Sequence, residues 1–214
     1  MVENGRTVPV IDVEEAKDAA SLGAKLPGRR SLRGLEKYHE EGKDPEVYIA
    51  HSQDFNGTRT RIVRDSEEKV PVKLVAGRDV AIYELDGDIR GLQNTLAGSG
   101  VDWSGQFTDD YARIAVSQET DSYAERLFAE YQKQRGLSIV LRISKEDGVA
   151  LVGAVGSGMY GSPGIGARFT TALGKNGISY MYAMDPGKVS LGYIIGRNDI
   201  KPAIGALHGE FFAQ

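Results

Sequence analysis

Residues 149–212 constrain the fold more than any other part of this chain. An apolar run, Val149 to Val155, enters a glycine-rich turn, and Ser162-Pro163 then opens a helix. Two further apolar runs, 178–184 and 189–195, are separated only by Asp185-Pro186-Gly187-Lys188, and a last helix begins near Asn198. Parallel neighbours need a long crossover, whereas Asp-Pro-Gly makes a tight turn and so an antiparallel hairpin. The order β-α-β-β-α on a small antiparallel or mixed sheet, with helices on one face, is the ferredoxin-like arrangement.

The same connection decides how to read Gly156, Gly158 and Gly161, which spell G-x-G-x-x-G between a strand and a helix. With Asp185 at the end of the next strand, this is the outline of a dinucleotide site. A parallel dinucleotide-binding sheet cannot contain a four-residue hairpin here, so no nicotinamide or flavin site is expected.

An earlier part of the chain repeats the pattern. Runs 72–76 and 80–85 read as strands around a Gly77-Arg78-Asp79 turn, followed by a helix over 89–96, strands over 101–107 and 111–116, and a helix opened by a Ser122-x-x-Glu125 capping box. That helix places Ala124, Leu127, Phe128 and Tyr131 on one face, and 139–141 forms another strand. The shared order is an internal duplication with low identity between the copies. Units this small have modest cores and sheet edges to protect, which favours tight association of the two units and of two chains. In such an assembly the helix carrying Ile165 and Phe169 is expected at or near the interface.

Residues 1–65 are polar and thin in apolar residues. Asp12 caps a helix with an acidic first turn, a second helix spans 32–41, and 47–50 is a short strand. A section this poor in apolar residues must pack on something else.

Composition narrows the chemistry. There is no cysteine, which excludes disulfides and thiolate sites, and His39, His51 and His208 lack metal-ligand spacing. A net charge of −4 with only the brief basic stretch Arg29-Arg30-Ser31-Leu32-Arg33 leaves no footprint for nucleic acid. No apolar run approaches the roughly 20 residues needed to cross a membrane. A soluble, cytoplasmic protein with no cofactor and no metal is expected.

Residues 152–159, 161–168 and 172–178, with the ending Ala206-Leu207-His208-Gly209-Glu210-Phe211-Phe212, resemble the final ACT domain of aspartate kinase. The preceding unit is similar in layout, with Gly91-Leu92 and Val101-Asp102 its clearest points. Residues 13–25, from Val13-Glu14-Glu15-Ala16 to Leu22-Gly23-Ala24-Lys25, resemble the end of that family's kinase domain, and Gly57-Thr58 a later nucleotide-side loop. The resemblance implies an α+β chain of two ferredoxin-like ACT-type units with interleaved strands, behind an irregular α/β N-terminal segment. The units divide as 1–65, 66–148 and 149–214, with the strand at 70–77 completing the second ACT-like unit.

The family's phosphate-binding loops have no counterpart in these residues. Leu26-Pro27-Gly28-Arg29 stands where the family continues to His-Pro-Arg, and the 51–56 segment replaces its nucleotide loop. The expected function is therefore regulatory and assembly-forming rather than catalytic, with a homodimer through the ACT units and an amino-acid ligand. A small regulatory subunit partnering a separate aspartate kinase catalytic chain is the alternative, and a scaffold with a new enzymatic activity a further one. The effector site implied for the first unit comprises Asp88, Arg90, Gly91, Leu92, Gln93, Val101, Asp102 and Gln106. Amides at a helix N-terminus would hold the effector carboxylate and Asp102 its ammonium; the competing reading has Asp102 facing solvent or capping a turn. A second ACT site would use Met159, Ser162, Pro163, Gly164 and Ile165.

Overall fold

The computed structural model describes residues 7–50, 57–135, 138–143, 148–184 and 187–213. Strand β1 (Val10–Asp12) runs directly into helix α1 (Val13–Ser21). The entry is a reciprocal cap: the Glu15 amide donates to the Asp12 carboxylate at 2.8 Å, and the Asp12 amide donates to the Glu15 carboxylate at 3.0 Å. Helix α2 (Arg29–Glu40), β2 (Val47–Ile49) and β3 (Thr60–Val63) follow, with β3 parallel to β1 and antiparallel to β2. The 51–56 segment lies outside the described residues.

The next element corrects the sequence reading. Gly77-Arg78-Asp79 is not a turn: β4 runs unbroken from Leu74 to Asp86, 13 residues in all. Helix α3 (Leu92–Ser99), β5 (Trp103–Phe107), β6 (Tyr111–Ser117), α4 (Asp121–Arg135) and β7 (Ser138–Ile143) come next. Strand β8 (Val149–Val155), α5 (Ile165–Lys175), β9 (Tyr180–Met184), β10 (Ser190–Gly196) and α6 (Ile200–Phe212) complete the chain.

Strand β4 belongs to two sheets. Its second half pairs with β6 on one side and β7 on the other, giving the antiparallel order β5-β6-β4-β7. Its first half pairs with β8, Leu74 opposite Val155 and Asp79 opposite Ala150, giving β4-β8-β10-β9. Each is the strand order of a ferredoxin-like unit, and the strand that completes the second unit precedes the first in sequence. The two units thus share one covalent strand.

Alternation along β4 sorts the layers. Ala81, Tyr83 and Leu85 meet Leu92, Leu96, Phe128 and Tyr131 of α3 and α4. Ala150, Val152 and Ala154 of β8 meet Ile165, Phe169, Leu173, Ala203 and Leu207 of α5 and α6. The opposite face, with Val80, Ile82, Val149, Leu151 and Ile194, is covered by Ile11, Val13, Ala16, Ala19, Leu22, Leu32 and Leu35. The apolar-poor N-terminal section therefore closes the core on the face of the sheets opposite α3, α4, α5 and α6.

One further expectation changes. Ser122 is not a cap but lies inside α4, whose first turn is started by the Thr120 carbonyl accepting from the Ala124 amide at 2.9 Å. Ile165 and Phe169 are buried in their own unit's core, and Ala167, Arg168 and Thr171 face outward from α5.

Candidate functional site

The glycine loop after β8 is packed against protein. A Cβ at Gly156 would overlap the Pro71 carbonyl, and one at Gly158 the Lys69 carbonyl. These glycines admit the 69–71 backbone, a use that sequence spacing cannot distinguish from phosphate cradling. The Ser157 amide is also taken, donating to the Glu15 carboxylate at 2.8 Å.

Glu15 is fully buried. Besides the Asp12 and Ser157 amides, its carboxylate receives the Lys73 ammonium at 2.9 Å, from a side chain only 7% exposed. Lys73 also donates to the Ser66 hydroxyl at 3.1 Å. Burial alone would raise the Glu15 pKa, but the Asp12 amide, Ser157 and Lys73 outweigh it, and the value lies below the ordinary glutamate range. Asp12 shifts the other way, raised mainly by burial.

One turn further along α1, Asp18 repeats the arrangement on a second loop. Its carboxylate accepts from the Val189 amide at 2.8 Å and the Ser190 hydroxyl at 3.0 Å. A Cβ at Gly187 would overlap this carboxylate. Helix α1 thus grips both the β8–α5 loop and the β9–β10 turn with buried carboxylates. Lys17 joins the helix to α2 through Glu36 at 2.6 Å.

The residues expected to form the first effector site divide between the two ends of α3. At its N-terminal end, Arg90 holds Asp88 at 2.8 Å and, chiefly through that hydrogen bond, lowers its pKa to about 2. Gly91 has φ +88° and precedes α3, and the Tyr131 hydroxyl donates to the Arg90 carbonyl at 2.7 Å. Leu92 and Val101 are core residues, whereas Gln93 is exposed. Asp102 lies beyond the far end of the helix. There Arg78 donates to its carboxylate at 2.6 Å, and its backbone amide donates to the Thr120 hydroxyl at 3.2 Å. A groove of about 240 Å³ between α3 and α4, lined by Gly91, Thr95, Glu130, Tyr131 and Arg135 among others, contains Gly91 without Asp102.

Gln106, on the face of β5 away from α3 and α4, instead meets the second unit. With Met159, Tyr160, Met184, Lys188 and Leu191 it lines a cleft of about 410 Å³. Of the other second-site residues, the Ser162 hydroxyl donates to the Gly158 carbonyl at 2.9 Å, Pro163 is exposed, Gly164 precedes α5 with φ +85°, and Ile165 is buried. The sequence reading missed Glu15, Asp18, Lys73 and Arg78. The available signal was an alanine-rich helix with too few solvent-facing positions for all its acids.

Residues 152–211 match the family model described as the ACT domain. Across 98% of this chain, an aspartokinase of Bacillus sp. (strain MGA3) is 26% identical, and aspartokinase 2 of Bacillus subtilis is 23% identical. The chain spans about half the length of these relatives, 52% in each case. Among solved structures, E. coli aspartokinase III with aspartate and ADP superimposes with a TM-score of 0.70 at 16% identity, over 99% of this chain and 48% of that one. The regulatory subunit of aspartate kinase from Thermus thermophilus matches 66% of this chain over 99% of its own, with a TM-score of 0.51 at 20% identity. In sequence and in fold, this chain is similar to the ACT-bearing regulatory region of aspartate kinases.

Proposed function

We propose that this chain is a regulatory and assembly module of the aspartate-kinase type that performs no phosphoryl transfer itself. Phosphoryl transfer needs backbone amides and cations arrayed around phosphates. The one glycine loop of that outline is filled by Glu15 and by the 69–71 backbone. The observation that carries the regulatory reading is the grip of α1 on the second unit, combined with the strand β4 shared by both units. A tilt of either unit is then felt in the N-terminal section, the part that resembles the end of a kinase domain.

The finer parts of the reading are an amino-acid effector and self-association. The groove beside Gly91 is lined by Glu130 and by Arg135, which also pairs with Asp88 at 3.5 Å; these opposite charges suit the ammonium and carboxylate of an amino acid. Self-association through the ACT units would cover sheet edges such as β9, where Tyr180 and Met181 are exposed. The partner is a second copy of this chain, or a separate catalytic chain to which it serves as the small subunit.

A thermal-shift screen against the twenty amino acids, run beside sedimentation of the purified chain, tests this. A ligand at 100 times its Kd stabilises by about 2.7 kcal/mol. The expected result is one or a few stabilising amino acids and a dimer. A monomer indifferent to all twenty, or one that makes aspartyl phosphate from ATP, contradicts the reading.

A further inference from the structure

Glu15 does more than cap a helix. A carboxylate buried to this degree costs several kcal/mol unless donors surround it. Here the donors come from separate parts of the chain. The Asp12 amide belongs to the helix start, but the Ser157 amide and the Lys73 ammonium belong to the second unit. Lys73 leads into β4, and its own amide donates to the Val155 carbonyl at 2.7 Å, an anchor on β8 that involves no atom of α1. The Ser66 hydroxyl holds the ammonium in place and in turn donates to the Glu68 carbonyl at 3.0 Å. Bare glycines on both sides of Ser157 let the loop close down on the 69–71 backbone. The second unit therefore presents a preformed cation and a fixed amide to one small anion.

We propose that this pocket is a carboxylate-binding site of the second unit and that the Glu15 side chain is its resident, internal ligand. Helix α1 is held as a tethered occupant, with Asp18 as a second point of attachment on the 187–190 turn. Tethering gives Glu15 a high effective concentration, so free carboxylates do not displace it from the intact chain. The site becomes available to an external small carboxylate when α1 leaves or Glu15 is removed. The inference goes beyond the regulatory reading and is independent of which effector the first unit takes.

The test is chemical rescue. Glu15→Ala deletes the carboxymethyl group and leaves space for acetate. The full-length variant is melted at neutral pH in rising sodium acetate, against sodium chloride of equal ionic strength. The expected result is a lower Tm than wild type in chloride and a saturable rise in acetate, accompanied by renewed hydrogen-exchange protection of the Ser157 amide. Wild type shows neither response. Adding Lys73→Met to Glu15→Ala removes the acetate response. If Glu15→Ala is unfolded in chloride, the same titration followed by circular dichroism reads refolding instead. Equal behaviour in acetate and chloride, or a response that survives Lys73→Met, overturns the proposal.

Discussion

Arg78 and Asp102 meet at 2.6 Å, a residue of the shared strand β4 holding the acid at the far end of α3. Arg78 is 15% exposed, and it also packs on Gly23 at the end of α1, where an added Cβ would lie 2.7 Å from its own. The pair therefore ties the first unit to the junction of the N-terminal section. Asp102→Ala is expected to destabilise the protein by about 1–3 kcal/mol, because the largely buried guanidinium loses its partner. Amino-acid binding at the Gly91 groove should survive. Denaturant unfolding with a binding titration checks both; loss of binding with unchanged stability would instead give Asp102 an effector role.

The glycine loop makes a steric prediction. Gly158→Val places a side chain against the Lys69 carbonyl, which is backbone and cannot swing away. Overpacking of this kind costs about 1–3 kcal/mol, and here it also pushes Ser157 from Glu15. A lowered Tm with no change in any nucleotide response is expected. Saturable NAD binding lost on this substitution would contradict the assignment of the loop.

Acid should loosen α1. The Glu15 pKa is lowered in the folded protein from the ordinary 4.5, so its contribution is fully present above that value and is lost as the pH falls through the depressed native one. Asp12, raised chiefly by burial, works in the opposite sense and takes up its proton first. Glu15→Gln should therefore flatten the acid limb of the stability curve. Chemical denaturation of wild type and variant between pH 7 and pH 3 measures this, and parallel curves would remove Glu15 as the cause.

Tyr83 closes the first unit. Its hydroxyl donates to Asp121 at 2.5 Å and accepts from Arg142 of β7 at 3.1 Å. Burial, with Asp121 as acceptor, pushes its pKa above the usual phenol range, so it remains a donor at all working pH values. Tyr83→Phe should cost about 1–2 kcal/mol and speed hydrogen exchange in β7 ahead of the rest of the sheet. Uniform exchange across both units would show that β7 does not depend on this contact.

The second unit was legible in the sequence because its signals are local. Seven consecutive buried residues make β8, and β9 and β10, so close in sequence, pair antiparallel as a short connection requires. Gly77 misled for the same reason: it looks like punctuation, yet β4 passes straight through it. Its bare α-carbon is needed because an added Cβ would lie 3.0 Å from the Leu151 carbonyl and 3.3 Å from Ile200 of α6. Partners distant in sequence were illegible. Asp18 reaches Val189 across 171 residues and Asp102 reaches Arg78 across 24, and no local pattern encodes either pairing. The residues read as an effector site around Gly91 and Asp102 lie close in sequence, and α3, a helix of 8 residues and about 12 Å, stands between those two positions.

Coupling between α1 and the second unit is the central claim, and native-state hydrogen exchange of the full chain tests it most directly. In wild type the amides of α1, Ser157 and Val189 should open with one common free energy. Asp18→Asn, which replaces the carboxylate facing Val189 and Ser190, should lower protection at all three sites together. If α1 exchanges freely while Ser157 and Val189 keep their protection, the helix is a passive neighbour and the regulatory account fails.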